Sequence, residues 1–434
     1  MNKYVALLAV MLGAVIPACA QQEYGLKFSS LINDNLSLEN AIRIGLENNS
    51  EFLTAQQEII IAEQKVNEAK FRYLPQFALQ GTATWYDIDY PMVLPESVAN
   101  RVLPGSALTR AKDDQFFGVG ITATQYLYSG GRIRGTLKMA RANLKQTQSR
   151  YEIIKNAVVL DIKKSFYQLL YAQHYEKLTQ EVLDKAHRWY AKTQGDAWTK
   201  IQIRARLAQL QAKRNEAALQ VEDARRRMLI SLNKELNASF SIRGDFNPVH
   251  TDWDLSHLNL WATEFRPELK SAIYALEADN IAIDLALSKR YPDIILNGSY
   301  EKLGVDDLED TNKQISLAVQ LPIPYNFSEQ IAQKKAQQRK SALRRAAIED
   351  KIRSQVASGF ANMAFWQKEV LSRQEFYQEL HKLLVQAEKN NSKQGVAPLE
   401  ALLAYEQAAA DYLDALRLNL SAKAELEWAI GQDL

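Results

Sequence analysis

The chain has 434 residues, 47% hydrophobic and 24% charged, long enough to bury a large core and ordinarily to form two or three domains. Lys and Arg number 53 against 51 Asp and Glu, a net charge of +2 that gives no support to nucleic acid as a main partner. Glycine (17) and proline (11) are scarce while Ala, Gln, Leu, Lys and Glu abound, which is a long-helix composition.

The first 20 residues read as a secretion signal. Lys3 gives the positive start, Val5–Ile16 the apolar run, and Pro17-Ala18-Cys19-Ala20 a small-residue cleavage site. Ile16-Pro17-Ala18-Cys19 also loosely resembles a lipoprotein box, which would leave Cys19 lipidated; Pro17 suits that box poorly, so ordinary cleavage is the preferred reading. Beyond this segment no uncharged apolar run reaches the roughly 18 residues that a membrane helix needs. A membrane crossing would therefore have to be a closed barrel, because lipid leaves an open sheet edge unsatisfied.

Leu36-Ser37-Leu38-Glu39 opens a helix with Ser37 as its N-cap, and a second helical pattern runs from Glu51 to Arg72. Pro75 then biases Leu74 toward extended geometry. Strict alternation follows over about 75–87: Phe77, Leu79, Gly81, Ala83 and Trp85 share one face, Gln76, Gln80, Thr82 and Thr84 the other. An apolar face backed by an uncharged polar face, with aromatics at its ends, suits a transmembrane barrel strand; a half-buried sandwich strand is the common alternative. After a long polar loop (87–113), alternation returns at 115–128, with Val119 and Ile121 opposite Thr122 and Thr124, and ends at Ser129-Gly130-Gly131.

Residues 132–194 contain no proline and a single glycine, which predicts a helix on the order of 95 Å. Leu137, Ala140, Leu144, Tyr151, Ile154 and Val158 keep a three-and-four spacing, a coiled-coil seam. Gly195-Asp196 breaks it, and helix resumes over 199–233. Residues 236–265 read as a mixed connecting segment. Helix returns from Glu268 and stops at Tyr291-Pro292. Two further strands are predicted at 292–302 (Ile294 and Leu296 against Asn297 and Ser299) and 313–323 (Ile315, Leu317 and Val319 against Gln314 and Ser316). A second long helix spans 327–394, Gly395 and Pro398 interrupt it, and a last helix covers 399–430.

These landmarks form an internal repeat, 21–235 and 266–434. Glu51 and Glu268, and likewise Pro75 and Pro292, stand 217 positions apart, and Gly195 and Gly395 stand 200 apart. The difference matches a shorter strand–strand loop in the second half. Four strands cannot close a barrel, for which about eight is the working minimum, so copies of the chain must combine. Aromatics flank the strands at both ends: Tyr73, Tyr128, Tyr291 and Tyr325 on the helix side, Trp85, Tyr86, Phe116 and Tyr300 on the loop side.

An ordered set of pieces now resembles the TolC-type outer-membrane efflux protein family. They are Leu36-Ser37-Leu38-Glu39-Asn40-Ala41, Leu74-Pro75, Leu127-Tyr128-Ser129-Gly130-Gly131, Arg266-Pro267-Glu268-Leu269, Tyr291-Pro292, Leu321-Pro322-Ile323-Pro324, Gly395 with Leu402-Leu403, and Ala429-Ile430-Gly431. The resemblance implies a mainly α fold carrying a membrane β-barrel part. In it a homotrimer closes one 12-stranded barrel in the outer membrane, and the helices continue as a coiled-coil tunnel through the periplasm of a Gram-negative bacterium. It implies a duct that receives drugs, metals or proteins from an inner-membrane pump through a periplasmic adaptor. The first-named strand faces would then meet lipid and the second line the lumen. Gly195, Asp196, Thr199, Gly395, Pro398 and Glu400 would lie at the periplasmic tips that open and close. The chain departs from the family at Ala401 and Ala404, where members often carry an acidic constriction; Glu400 is the nearest acid and reads as a solvated helix residue.

Nothing in the residues argues for an enzyme or a cofactor. His174, His187, His250, His257 and His381 lack metal-ligand spacing, and Gly130-Gly131 lacks the Lys-Ser/Thr of a phosphate loop. The acids of 306–310 read as an exposed loop tip. A secreted coiled-coil scaffold or adhesin is the alternative, but it leaves the uncharged strand faces without a purpose.

Overall fold

Helix dominates because long stretches lack the residues that stop one. The computed structural model describes residues 36–85, 115–191, 196–236, 238, 240–304, 308, 310–323, 325–389 and 396–433. The signal segment with Cys19, the first strand–strand loop, and the turn glycines Gly195 and Gly395 lie outside them. In order the elements are α1 (Leu38–Asn48), α2 (Ser50–Phe71), β1 (Gln76–Trp85), β2 (Gln115–Tyr128), α3 (Arg132–Tyr190) and α4 (Ala197–Ser231). Then come α5 (Leu255–Phe265), α6 (Pro267–Ser288), β3 (Asp293–Gly304), β4 (Asp310–Gln320), α7 (Phe327–Lys389) and α8 (Ala397–Ile430).

Ser37 caps α1 as its residue type dictates, accepting from the Asn40 amide at 3.3 Å. The connecting segment differs from its sequence reading, because its second part is the helix α5. Leu258 and Ala262 are buried on one side of α5 at a one-turn spacing, a pattern too short at 11 residues to stand out beside the Asn- and Asp-rich stretch before it. α1 and α5 each have 11 residues and α2 and α6 each have 22, and both pairs begin 217 positions apart. β4 also starts and stops three residues earlier than read, ending at Gln320 ahead of Pro322, which has no N–H to give a ladder.

The described residues divide into a strand unit, drawn from Gln64–Arg141 and Asn280–Lys335, and a helical unit, drawn from 36–63, Ala142–Asp279 and 336–433. The strand unit holds one antiparallel sheet of order β1-β2-β3-β4, so β1 and β4 are both edges. Its turn into α3 requires glycine: Gly130 and Gly131 take φ of +58° and +82°, and a Cβ on Gly130 would lie 2.6 Å from Tyr291 Cβ. Beside them Arg132 forms an ion pair with Asp293, tying the exit of β2 to the entry of β3.

The helical unit packs around separate cores. α1, α3 and α4 bury Ile44, Ile162, Phe166, Leu169 and Met228, and Leu36 bridges to Ile242 beside them. The predicted α3 seam is only half-buried from Leu137 to Ile154; the fully buried positions there are the small Ala142 and Ser149. A second core joins α5, α7 and α8 through Leu258, Val356, Met363, Leu426 and Ile430. Arg266 fastens it, donating to the Trp428 carbonyl at 2.6 Å and Gln355 Oε1 at 2.7 Å while its guanidinium stacks 4.1 Å from the Trp428 ring. Gly431 ends α8 in the left-handed region (φ +78°), where a Cβ would meet the Phe265–Arg266 backbone at 3.1 Å.

Candidate functional site

Two places carry the sequence-predicted functional residues: the faces of the sheet, and the ends of the four long helices. In the sheet, register decides what can act together. β1 pairs with β2 so that Gln76 faces Thr124, Ala78 faces Thr122 and Gln80 faces Gly120, while Phe77 faces Ala123 and Leu79 faces Ile121. β2 pairs with β3 through Thr122–Ser299 and Thr124–Asn297, with Ile121 against Tyr300. β3 pairs with β4 through Asn297–Ser316 and Ser299–Gln314, with Leu296 against Leu317 and Ile294 against Val319. Because successive side chains alternate, each set keeps to one side across all four strands.

Gln76, Gln80, Thr82, Thr122, Thr124, Asn297, Ser299, Gln314 and Ser316 thus form one polar surface, which carries Glu301 and Asp310 at its loop-side end. Phe77, Leu79, Val119, Ile121, Ile294, Leu296, Ile315, Leu317 and Val319 fall on the other side. In the single chain much of that apolar side is open, with Phe77 70%, Ile315 85% and Val319 68% exposed. An exposed apolar surface of this extent marks an interaction face, for another protein or for a membrane. Tyr73, Tyr128, Tyr291 and Tyr325 are also exposed at the helix-side ends of the strands. The side chains of Thr84, Trp85 and Phe116, and the whole of Tyr86, lie outside the described residues.

At the helix ends, α3, α4, α7 and α8 share one core built on Val182, Leu183, Ile203, Leu210, Leu384, Leu399 and Leu402. Asp196 caps α4, accepting from the Thr199 amide at 3.0 Å, and Thr199's hydroxyl and amide hold the Asp196 carboxyl below its usual range. Pro398 stands in the first turn of α8, where a missing N–H costs nothing. Glu400 is exposed and pairs with Arg206 on α4 at 3.3 Å. Ala401 and Ala404 lie exposed on the same helix.

Sequence reasoning missed the polar contacts that join the two halves. Glu406, on α8, is buried; it accepts from the Tyr175 hydroxyl at 3.0 Å and pairs with Lys213 of α4. The available signal was an acid interrupting the otherwise small and apolar face of Leu402, Ala409 and Leu416. Nearby, the hydroxyls of Tyr377 and Tyr405 stand 3.2 Å apart, and burial, then the bond to Tyr377, pushes the Tyr405 phenol up. α4 also shows an exposed seam, Trp198, Ile201, Ala205, Ala208, Ala212 and Leu219, at coiled-coil spacing opposite its buried face of Ile203, Leu210 and Ala217.

A cleft of 740 Å³ lies between α3, the start of α6 and the end of α8. Its lysines are engaged locally: Lys163 with Glu427 at 2.7 Å, Lys155 with Glu152 at 3.5 Å, and Lys145 over the Tyr274 ring. Among the described residues no group of three or more His, Cys, Asp or Glu is placed to hold a metal, and no helix is long and apolar enough to cross a membrane.

The sequence pattern of the outer membrane efflux protein family matches residues 41–234. No curated protein matches the sequence. Solved structures with the same fold include CusC, described as forming a transmembrane channel (TM-score 0.74, 16% identity, 93% of this chain and 96% of that one). They also include the Campylobacter jejuni CmeC outer membrane channel (0.75, 16%, 91% and 85%) and the Neisseria gonorrhoeae MtrE outer membrane channel in its open state (0.74, 19%, 92% and 89%). The chain thus carries the outer membrane efflux protein pattern over residues 41–234 and shares the fold of these channels along most of its length.

Proposed function

We propose that this chain is one subunit of a trimeric outer-membrane duct that passively exports toxic small molecules, metals or proteins handed to it by an adaptor and an inner-membrane pump. The observation that carries this reading is a four-stranded sheet that, among the described residues, has one apolar, exposed face, one polar face charged only near the strand ends, and two free edges. An open edge is not tolerated in lipid, and four strands are too few to close on themselves. Three copies supply twelve strands, with β4 of one copy meeting β1 of the next. The apolar face then meets lipid, while Gln76, Gln80, Thr122, Asn297 and Gln314 line a water-filled exit.

On this reading the helix turns at Gly195 and Gly395 are the periplasmic ends of the duct. Asp196 and Pro398 start the returning helices, and the Arg206–Glu400 pair is one of the contacts that hold the ends together at rest. Glu400 is engaged in that pair, and Ala401 and Ala404 carry no charge where members of the family often have acids. The exposed α4 seam is the surface for a helix of a neighbouring copy or of the adaptor. No step requires catalysis.

Cell fractionation with native mass measurement tests the assignment. The expected result is an outer-membrane protein of three chains, stable in mild detergent. A soluble periplasmic monomer would overturn it and leave the scaffold reading.

A further inference from the structure

The apolar face of the sheet carries charge at one place. β3 and β4 put Lys302 and Lys313 on the side that holds Leu296, Tyr300, Ile315 and Leu317. Lys302 is paired with Thr311 and Tyr300 with Lys313, so the two lysines occupy diagonal positions on neighbouring strands, about 7–8 Å apart at the backbone. Both are exposed, and Lys313 Nζ lies 5.7 Å from the centre of the Tyr300 ring. The acids of the same strands take the opposite side: Glu301 and Asp310 alternate away from the lysines, and a Cβ on Gly120, on that opposite side, would stand 2.6 Å from Glu301 Cγ. Among the described strand residues, no carboxylate shares the lysines' face.

Two like charges at neighbouring positions repel, and an apolar surround raises the cost of each. An anion between them relieves both. Their level on the sheet says where that anion comes from. Lys302 lies eight residues beyond Ile294 toward the β3–β4 loop, roughly 26 Å along the strand and roughly 20 Å of height at a tilt of about 40°, which brings it toward the loop-side edge of an apolar band about 25 Å tall. Long lysine stems there carry their ammonium groups to the headgroup layer. Tyr300 lies beside them, as an aromatic ring does at that boundary.

We propose that Lys302, Lys313 and Tyr300 form a binding site for the phosphate of a phosphorylated glycolipid in the outer leaflet. The site rests on the channel reading, since it needs this face to meet lipid. Each phosphate oxygen accepts from an ammonium group, and the sugar rim packs on the Tyr300 ring.

The test uses the full-length protein in detergent, titrated with bisphosphorylated lipid A and followed by native mass spectrometry. Each of K302Q and K313Q is expected to weaken binding about fivefold, and the double variant about thirtyfold, following the usual strength of a lysine at an anionic membrane surface. Dephosphorylated lipid A should bind wild type as weakly as the intact lipid binds the double variant, millimolar inorganic phosphate should not compete, and K335Q/K340Q on α7 should bind like wild type. Equal binding by wild type and a correctly assembled K302Q/K313Q would overturn the site, as would displacement of the lipid by free phosphate. If the double variant fails to assemble, the single variants decide by the same criterion. Fractionating the same samples separates the two ideas: an outer-membrane trimer indifferent to both lysines loses the lipid site and keeps the channel, whereas a soluble chain loses both.

Discussion

Leu79 and Gln80 are neighbours whose side chains leave the sheet on opposite sides, against Ile121 and Gly120 respectively. On the proposed reading, one meets hydrocarbon and the other water. Placing a charge on the lipid side of a barrel strand costs folding free energy that depends on depth, whereas the lumen side tolerates it. Leu79→Asp should therefore cut the yield of assembled outer-membrane trimer severalfold, and Gln80→Asp should leave it within about twofold of wild type. Equal yields on a trimer-resolving gel would mean the faces are assigned wrongly. These faces were legible in the sequence because a period of two requires no knowledge of the partner strand. The Arg132–Asp293 pair was not, since it joins residues 161 positions apart and exists only once β2 and β3 are in register. Lys302 and Lys313 were equally invisible as a pair until the β3–β4 register set them side by side.

The helices were legible for the opposite reason: their signal is the absence of proline and glycine over long stretches. What stayed hidden was which side of each helix is buried, as the half-buried α3 seam shows. Small residues such as Ala142 and Ser149 carry little hydrophobic signal, yet they allow close helix approach. α3 meets α8 through a polar patch in which Tyr171 and Tyr175 stack at 5.9 Å and Arg417 of α8 lies 5.6 Å from the Tyr171 ring. Burial, followed by the nearby Asp414 charge, pushes the Tyr171 phenol up to about 12. A phenol with a raised folded-state pKa binds its proton more tightly folded than unfolded. Its contribution is complete below about pH 10, the unfolded value, and is lost as pH rises toward 12. Tyr171→Phe keeps the ring and removes the ionisation, so the alkaline unfolding midpoint followed by circular dichroism should move to higher pH. An unchanged or lowered midpoint would show that this phenol does not govern alkaline stability.

At the scale of the molecule, among the described residues of a single chain, the sheet has two free edges and an exposed apolar face, and the α4 seam is exposed as well. The order of helices and strands could be read from the residues. The closure could not, because on the proposed reading it depends on other copies of the chain and on lipid. The central claim is that assembled copies enclose a continuous aqueous path, and single-channel recording in a planar bilayer measures that path directly. Purified wild-type protein should give discrete conductance steps, and Arg206→Ala/Glu400→Ala, which loosens the helix ends, should give larger ones. Protein that inserts as a trimer yet gives no steps in either form would contradict the account.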